Sequence, residues 1–204
     1  DFEAEAGIGV TTRWEGGSKK LDRLAVVLDL GGADVAWKSN EYAMAKKSGW
    51  DVAVIELRAT GEGAPRGNQV RRALDHNASQ WAMWIGRPLI TQWVTDIRTT
   101  LDQLARFVYR SRLPRVRVVG RGAAGSLAVV AAAVDSRIRE VQTVGAPVSV
   151  ISDQPYGEGP LGVLIPGSLH TIGDLPQMMS LLAPRPLKIV DPVSARSEER
   201  RVGK

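Results

Sequence analysis

Short apolar runs alternate along the chain with stretches of helical periodicity. Five runs rich in β-branched residues are bounded by glycine, proline or polar residues, and they lie at 24–30, 51–57, 115–119, 140–145 and 186–190. A parallel sheet that is covered by helices on both faces has strands of this near-continuous apolar kind. The pattern therefore predicts an α/β fold with a doubly wound, mostly parallel sheet, in which ligands bind at the carboxyl ends of the strands.

Helices are predicted between these strands. Apolar residues recur at helical spacing over 93–109, and shorter helices are expected over 38–48 and 123–134. A last helix is predicted to begin at Asp174, whose side chain can cap the first turn. The segment 146–173 is rich in Pro, Gly and Ser and has no period, so it is predicted to be a long loop.

Composition excludes several classes of protein. The chain has 204 residues, of which 44% are hydrophobic and 24% charged, as in a globular domain with a full-sized core. It has no apolar run of the roughly 18 residues that a membrane helix needs, so no membrane partner is expected. The absence of cysteine excludes disulfides and thiolate metal sites, and we predict no metal and no cofactor. The first residues lack the features of a signal peptide, and localisation stays open.

The formal charge of +5 does not indicate nucleic-acid binding. The last nine residues, RSEERRVGK, carry four basic and two acidic side chains, which account for +2. No aromatic residues are interleaved with the remaining basic ones, as a single-strand-binding groove would require. The tail resembles the translation of a sequencing adapter. We therefore expect a single domain over 1–195, incomplete at its C-terminus, and an artefactual tail over 196–204.

The turn within VVGRGAAGSLAVV decides between two kinds of site. GRGAAG follows a predicted strand and opens a predicted helix, which matches the G-x-G-x-x-G turn that holds the diphosphate of a dinucleotide. Such a site also needs an acid at the end of the next strand, but Glu140 begins that strand. The same turn matches a nucleophile elbow, in which small residues flank the nucleophile. In that interpretation Gly122 occupies the nucleophile position, and Ser126 lies too far along the helix to replace it.

Neighbouring segments favour the elbow. Five stretches of this chain resemble motifs of the α/β-hydrolase superfamily: VLDLGG, GWDVAVIELRATGEG, WIGRPLITQWVTDIRTTLDQL, VVGRGAAGSLAVVAAAVDSRI and GDLPQMMSLLAPRPLKIVDPV. Within the superfamily they resemble the acetyl xylan esterase-like branch, which is related to dienelactone hydrolases. The resemblance implies an α/β-hydrolase fold and the hydrolysis of carboxylic esters, which in this family means deacetylation of carbohydrates. The family's catalytic histidine follows a further strand, so we expect the fold to be truncated here before its last strand and helix.

The resemblance also assigns positions to individual residues. Gly122 stands where the family has its nucleophilic serine, and Asp191 follows the strand that carries the catalytic acid. Backbone amides that would stabilise an oxyanion are implied at Gly31, Gly32 and Ala123. Residues that could contact a ligand are Arg121, Arg58 and His170, whereas His76 is interpreted as a loop residue that forms hydrogen bonds.

Three functions remain open at this stage. The chain is predicted to be a carboxylic-ester hydrolase domain of the acetyl xylan esterase-like kind that is noncatalytic, since it lacks a nucleophile and its base is not apparent. The first alternative is a degenerate hydrolase that binds carbohydrate or a partner, such as a tandem hydrolase domain. The second is a Rossmann-like dinucleotide-binding module. The ligand expected under the main prediction is an acylated carbohydrate or another small ester.

Overall fold

A computed structural model describes residues 1–17, 22–110, 112–154, 156 and 159–195 of the chain. The tail at 196–204, and with it the prediction that the tail is artefactual, lies outside the described residues. Seven strands form the sheet: β1 (Phe2–Glu5), β2 (Ile8–Glu15), β3 (Arg23–Leu28), β4 (Asp51–Glu56), β5 (Arg115–Arg121), β6 (Ile138–Val144) and β7 (Leu187–Val190). Their spatial order is β1-β2-β4-β3-β5-β6-β7. The contacts that β2 makes with β1 and β4 are antiparallel, and all other pairs are parallel.

The sheet is covered by helices on both faces: α1 (Ala33–Trp37), α2 (Asn40–Lys47), α3 (His76–Trp84), α4 (Leu89–Phe107), α5 (Ala124–Val134), α6 (Ser168–Thr171) and α7 (Leu175–Ser180). Alternate residues of β3 enter two different cores, because successive side chains of a strand point to opposite faces. Leu24 and Val26 pack in the larger core with α3, α4, α5 and α7. Ala25 and Val27 pack in the smaller one with α1 and α2.

The structure confirms the five predicted strands and the predicted helices, with ends that shift by a few residues. The hairpin of β1 and β2 and the helices α1, α3 and α6 were not predicted from the sequence. The hairpin of β1 and β2 was missed because most side chains of β2 are exposed, so β2 lacks the apolar run that marks the other strands. Helix α3 lies in a segment interpreted only as a connection. Among the described residues, no helix is both long and apolar enough to cross a membrane.

The predicted loop at 146–173 carries one short helix, α6, and is held at both ends by aspartates. The Asp75 carboxylate accepts hydrogen bonds from the amides of Leu161 at 2.8 Å and Gly162 at 2.7 Å. Asp174 caps α7 as predicted: its side chain accepts from the Leu175 amide at 2.7 Å and from the Val150 amide at 2.8 Å. The side chains of Asp75 and Asp174 therefore add to the backbone hydrogen bonds, such as that from Val148 to Val193, which tie the loop to the rest of the domain.

Candidate active site

The turn between β5 and α5 has the geometry of a nucleophile elbow. The strand ends at Arg121, Gly122 has a φ of 53°, and the helix begins at Ala124. The Gly122 amide donates to the Val144 carbonyl at 2.8 Å, which fixes the turn against the end of β6. A residue in this left-handed conformation presents its side-chain position away from the strand and the helix, as the nucleophile of an elbow does.

The glycines on either side of residue 122 are required by packing. A Cβ atom at Gly120 would lie 2.6 Å from the Cα atom of Gly125 and closer still to the Ala124 carbonyl oxygen. At Gly125, a Cβ atom would lie 2.5 Å from the Ala146 methyl group. At Gly122, by contrast, a Cβ atom would meet no atom within 4 Å. The space for a nucleophile is therefore present, although the residue has no side chain.

Gly122 opens into a cavity of about 630 Å³ at the carboxyl ends of the parallel strands. We call it the elbow cavity. Strands β3 and β5 are neighbours, and the chain leaves β3 toward β4 on one side and reaches β5 on the other, so this is the point where ligands bind in open α/β sheets. The cavity brings together most of the predicted site residues, namely Gly31, Arg121, Gly122, Ala123 and Asp191.

Two of the three amides predicted to stabilise an oxyanion already have partners. The Gly31 amide donates to the Asp29 carboxylate at 2.8 Å, and the Gly32 amide donates to the Asp29 carbonyl at 3.1 Å. Helix α5 has no side-chain cap, and within the described part of the chain no group accepts a hydrogen bond from the Ala123 amide. Of the three predicted amides, that of Ala123 is therefore the one without an acceptor among the described residues.

Arg121 is held by two acids. Its guanidinium contacts the Asp29 carboxylate at 2.7 Å and the Glu41 carboxylate at 2.8 Å, and its side chain is 31% exposed. The positive charge that was predicted to contact a ligand is therefore balanced within the protein. Sequence reasoning missed both acids. Asp29 stands in the quoted VLDLGG segment, which offered a signal, whereas nothing in the sequence connects Glu41 to the turn.

Asp191 follows β7 directly and lines the elbow cavity, as the prediction of a catalytic acid requires. Its φ is 44°, a left-handed conformation that aspartate tolerates better than most residues. The residue is exposed, and the Val193 amide, two residues on, donates to the Ala146 carbonyl at 2.9 Å. The turn that presents Asp191 is thereby anchored to the segment that follows β6.

Comparison with known proteins supports the fold through solved structures. No protein-family model and no curated protein sequence matches the chain. A structure from Bacteroides fragilis, provisionally named an acetyl xylan esterase, superposes with a TM-score of 0.62 at 15% identity, over 82% of this chain and 50% of that one. A glucuronoyl esterase from Caldicellulosiruptor kristjansonii gives 0.52 at 15% identity, over 88% of this chain and 56% of that one. The chain has the α/β-hydrolase fold. It spans about half the length of these two proteins.

The α/β-hydrolase topology bears on the dinucleotide alternative. A Rossmann sheet has the order 3-2-1-4-5-6, with a G-x-G-x-x-G turn after its first strand. Here the turn follows β5, and β2 runs antiparallel within the sheet. Glu140 pairs with Arg115 and Arg117 at the amino end of β6, far along the strand from the turn. The acid that would bind a ribose is therefore not presented at this edge.

Four predicted residues do not line the elbow cavity: Gly32, whose amide contact is described above, His76, His170 and Arg58. His76 is the first residue of α3, and its Nδ1 lies 3.0 Å from the Asn77 side chain. His170, on α6, lines a different cavity. The Arg58 guanidinium forms ion pairs with the fully buried Asp96 and with Glu5. Arg58 therefore ties the loop after β4 to α4 and β1, as a structural brace.

Proposed function

We propose that this domain is a degenerate carboxylic-ester hydrolase that binds an acylated carbohydrate, or a similar ester, in the elbow cavity without forming an acyl-enzyme. One observation carries the proposal: residue 122 has the backbone conformation and open surroundings of a nucleophile but is glycine. Acyl transfer in this fold needs a hydroxyl or thiol at that position, with a base to accept its proton.

The other hydroxyl groups of the elbow cavity are engaged elsewhere. Those of the described lining residues belong to Thr60 and Tyr156. Thr60 donates to the Leu57 carbonyl at 2.7 Å, and Tyr156 donates to the Ser149 carbonyl at 2.7 Å. Neither histidine of the chain lines this cavity. The described lining residues therefore supply no hydroxyl that is paired with a general base.

The position of Asp29 also disfavours catalysis. An oxyanion is stabilised by donors that are free and preorganised before the charge develops. The Asp29 carboxylate already accepts a hydrogen bond from the Gly31 amide, so that donor is not free for an oxyanion. This contact supports binding of an acylated ligand over its hydrolysis.

The nature of the ligand is proposed from the cavity and from the neighbours. The lining of the elbow cavity combines hydrogen-bonding groups, among them the exposed Asp191 carboxylate and the Ala123 amide, with apolar side chains such as Leu74. Such a mixture suits a sugar hydroxyl next to an acyl group. The two proteins with the same fold described above are named as an acetyl xylan esterase and a glucuronoyl esterase.

The test combines binding with chemical labelling. Acetylated xylo-oligosaccharides are titrated calorimetrically against the chain and against Gly122→Phe, whose ring would fill the elbow cavity. We expect binding that Gly122→Phe abolishes, with no hydrolysis of p-nitrophenyl acetate and no mass shift after a fluorophosphonate probe. Stoichiometric labelling of the unaltered chain by the probe would refute the noncatalytic assignment. Thermal stabilisation by NAD, without any by the oligosaccharides, would support the dinucleotide alternative.

A further inference from the structure

A second cavity, of about 550 Å³, lies away from the elbow and has no role in the function proposed above. It is lined by residues of α3, α5, α7 and the loop at 146–173, and we call it the apolar cavity. Met83, Val130, Leu161, Leu164 and Met178 are among its lining residues. Its volume falls within the range of about 300 to 1,000 Å³ that is usual for small-molecule sites.

A buried hydroxyl group in the wall of the apolar cavity has no partner. Ser79 is 4% exposed, and its Oγ atom makes no hydrogen bond to any described residue. Ser126, also 4% exposed, lines the same cavity from α5. Leaving a buried hydroxyl unpaired is unfavourable, because the group has lost its hydrogen bonds to water without replacement. The Oγ atom itself has almost no accessible surface, so a ligand oxygen in the cavity restores that hydrogen bond only if the Ser79 side chain rotates about its Cα–Cβ bond.

The charge of the lining indicates a neutral ligand. Among the described residues that line the apolar cavity there is no Asp, Glu, Lys or Arg, and His170 is the one titratable side chain. A carboxylate or phosphate buried there would lack the paired charge that a buried ion needs. Two methionines in the lining add side chains that adapt to irregular apolar shapes.

We propose that the apolar cavity binds a neutral, lipophilic small molecule that carries a single hydroxyl or carbonyl oxygen. The oxygen bonds to the Ser79 hydroxyl after that hydroxyl has rotated into the cavity, and the hydrocarbon part contacts Val130, Leu161 and Met178. Gly122 and Asp191 do not line this cavity, so the site is separate from the elbow cavity and does not depend on the function proposed for it.

The experiment uses two probes that differ by one hydroxyl group, 3-phenyl-1-propanol and propylbenzene. Each is measured by its displacement of the fluorescent, neutral N-phenyl-1-naphthylamine from the chain. We expect both to compete, and Ser79→Ala to weaken 3-phenyl-1-propanol about fivefold, the effect of one hydrogen bond, while leaving propylbenzene unchanged. An equal effect of Ser79→Ala on both probes would overturn the assignment of the oxygen to Ser79.

Cavity-filling variants test the location. Val130→Phe and Leu164→Trp place new rings in the apolar cavity from a helix and from a loop, and each is expected to weaken the fluorescent probe at least tenfold. Val134→Phe is the matched control, because Val134 lies one turn later on α5 and is 60% exposed. Thermal unfolding checks that each variant is folded. Probe binding that is unchanged in whichever filling variants are folded would overturn the proposal.

Discussion

At the turn between β5 and α5, Gly120 and Gly125 are packed against backbone and side-chain atoms, whereas Gly122 between them faces open space. The space around the Cα atom therefore differs between the outer two glycines and the middle one. The outer two allow a strand and a helix to approach closely, and the middle one has room for a side chain that it lacks. Packing at the outer two positions, together with the hydrogen bond from the Gly122 amide to the Val144 carbonyl, therefore holds the turn in an elbow conformation with no side chain at residue 122.

The largest expected effect comes from filling a packed position. Gly120→Ala places a methyl group 2.6 Å from the Gly125 Cα atom, and the backbone must move to relieve this contact. We expect the free energy of unfolding to fall by at least about 3 kcal/mol, as for severe overpacking of a core. Urea denaturation measures the change. A loss below about 1 kcal/mol would show that the elbow does not need glycine at this position.

Removal of the carboxylate beside the elbow should have a smaller effect. Asp29→Ala frees the Gly31 amide and leaves Arg121 with Glu41 alone. We expect a loss of about 1 to 2 kcal/mol in the free energy of unfolding, because a charge-assisted hydrogen bond and a partly buried ion pair disappear. Asp34→Ala is the control: it breaks the exposed ion pair with Arg13 and should change stability by less than about 0.5 kcal/mol.

The start of α7 offers a contrast to the uncapped start of α5. Burial alone would raise the pKa of Asp174, but hydrogen bonds from Ser149 and from the amides of Val150 and Leu175 outweigh it, and the pKa is lowered from the ordinary 3.8. Because the folded pKa is depressed, the stability that Asp174 contributes is complete above about pH 4 and is lost as the pH falls through the folded value.

We therefore expect Asp174→Asn, which keeps a side chain able to cap the helix but removes the charge, to reduce the free energy of unfolding by about 1.5 kcal/mol at pH 7, because charge-assisted hydrogen bonds are lost, and by less near pH 2.5. Urea denaturation at the two pH values measures the difference. An effect of the same size at both would mean that the charge of Asp174 contributes nothing.

The smallest effect is expected at the open glycine itself. Gly122→Ala adds a methyl group that meets no atom within 4 Å, so the expected loss of about 1 kcal/mol comes only from the positive φ. The variant is the direct counterpart of Gly120→Ala and is measured in the same way. If the two substitutions were equally destabilising, the contrast between packed and open glycines would fail.

Periodicity predicted the elements that bury apolar side chains, because burial is what places those residues in the pattern. The strand at 51–57 and the helix at 93–109 are examples, and the structure has them as β4 and α4. The hairpin of β1 and β2 escaped this reasoning because it is largely exposed, so packing does not constrain its sequence in the same way. The glycine turn was predictable for a similar reason, since close packing dictates the residue type.

The polar contacts of the site could not be predicted. Asp29 and Arg121 are 92 residues apart, and no periodicity links two residues that meet across neighbouring strands. The hydrogen bond from the Gly31 amide likewise depends on the rotamer of one side chain, that of Asp29. His170 was predicted as a residue that could contact a ligand and Gly122 as the nucleophile position, yet the two residues line different cavities. Fold follows from many weak preferences, whereas a site depends on a few individual orientations.

One carboxylate, that of Asp75, contacts the walls of both cavities. It lines the elbow cavity, and it accepts hydrogen bonds from the amides of Leu161, a lining residue of the apolar cavity, and of Gly162. A substitution of Asp75 would therefore change both walls at once, so a variant at this position cannot separate the properties of one cavity from those of the other.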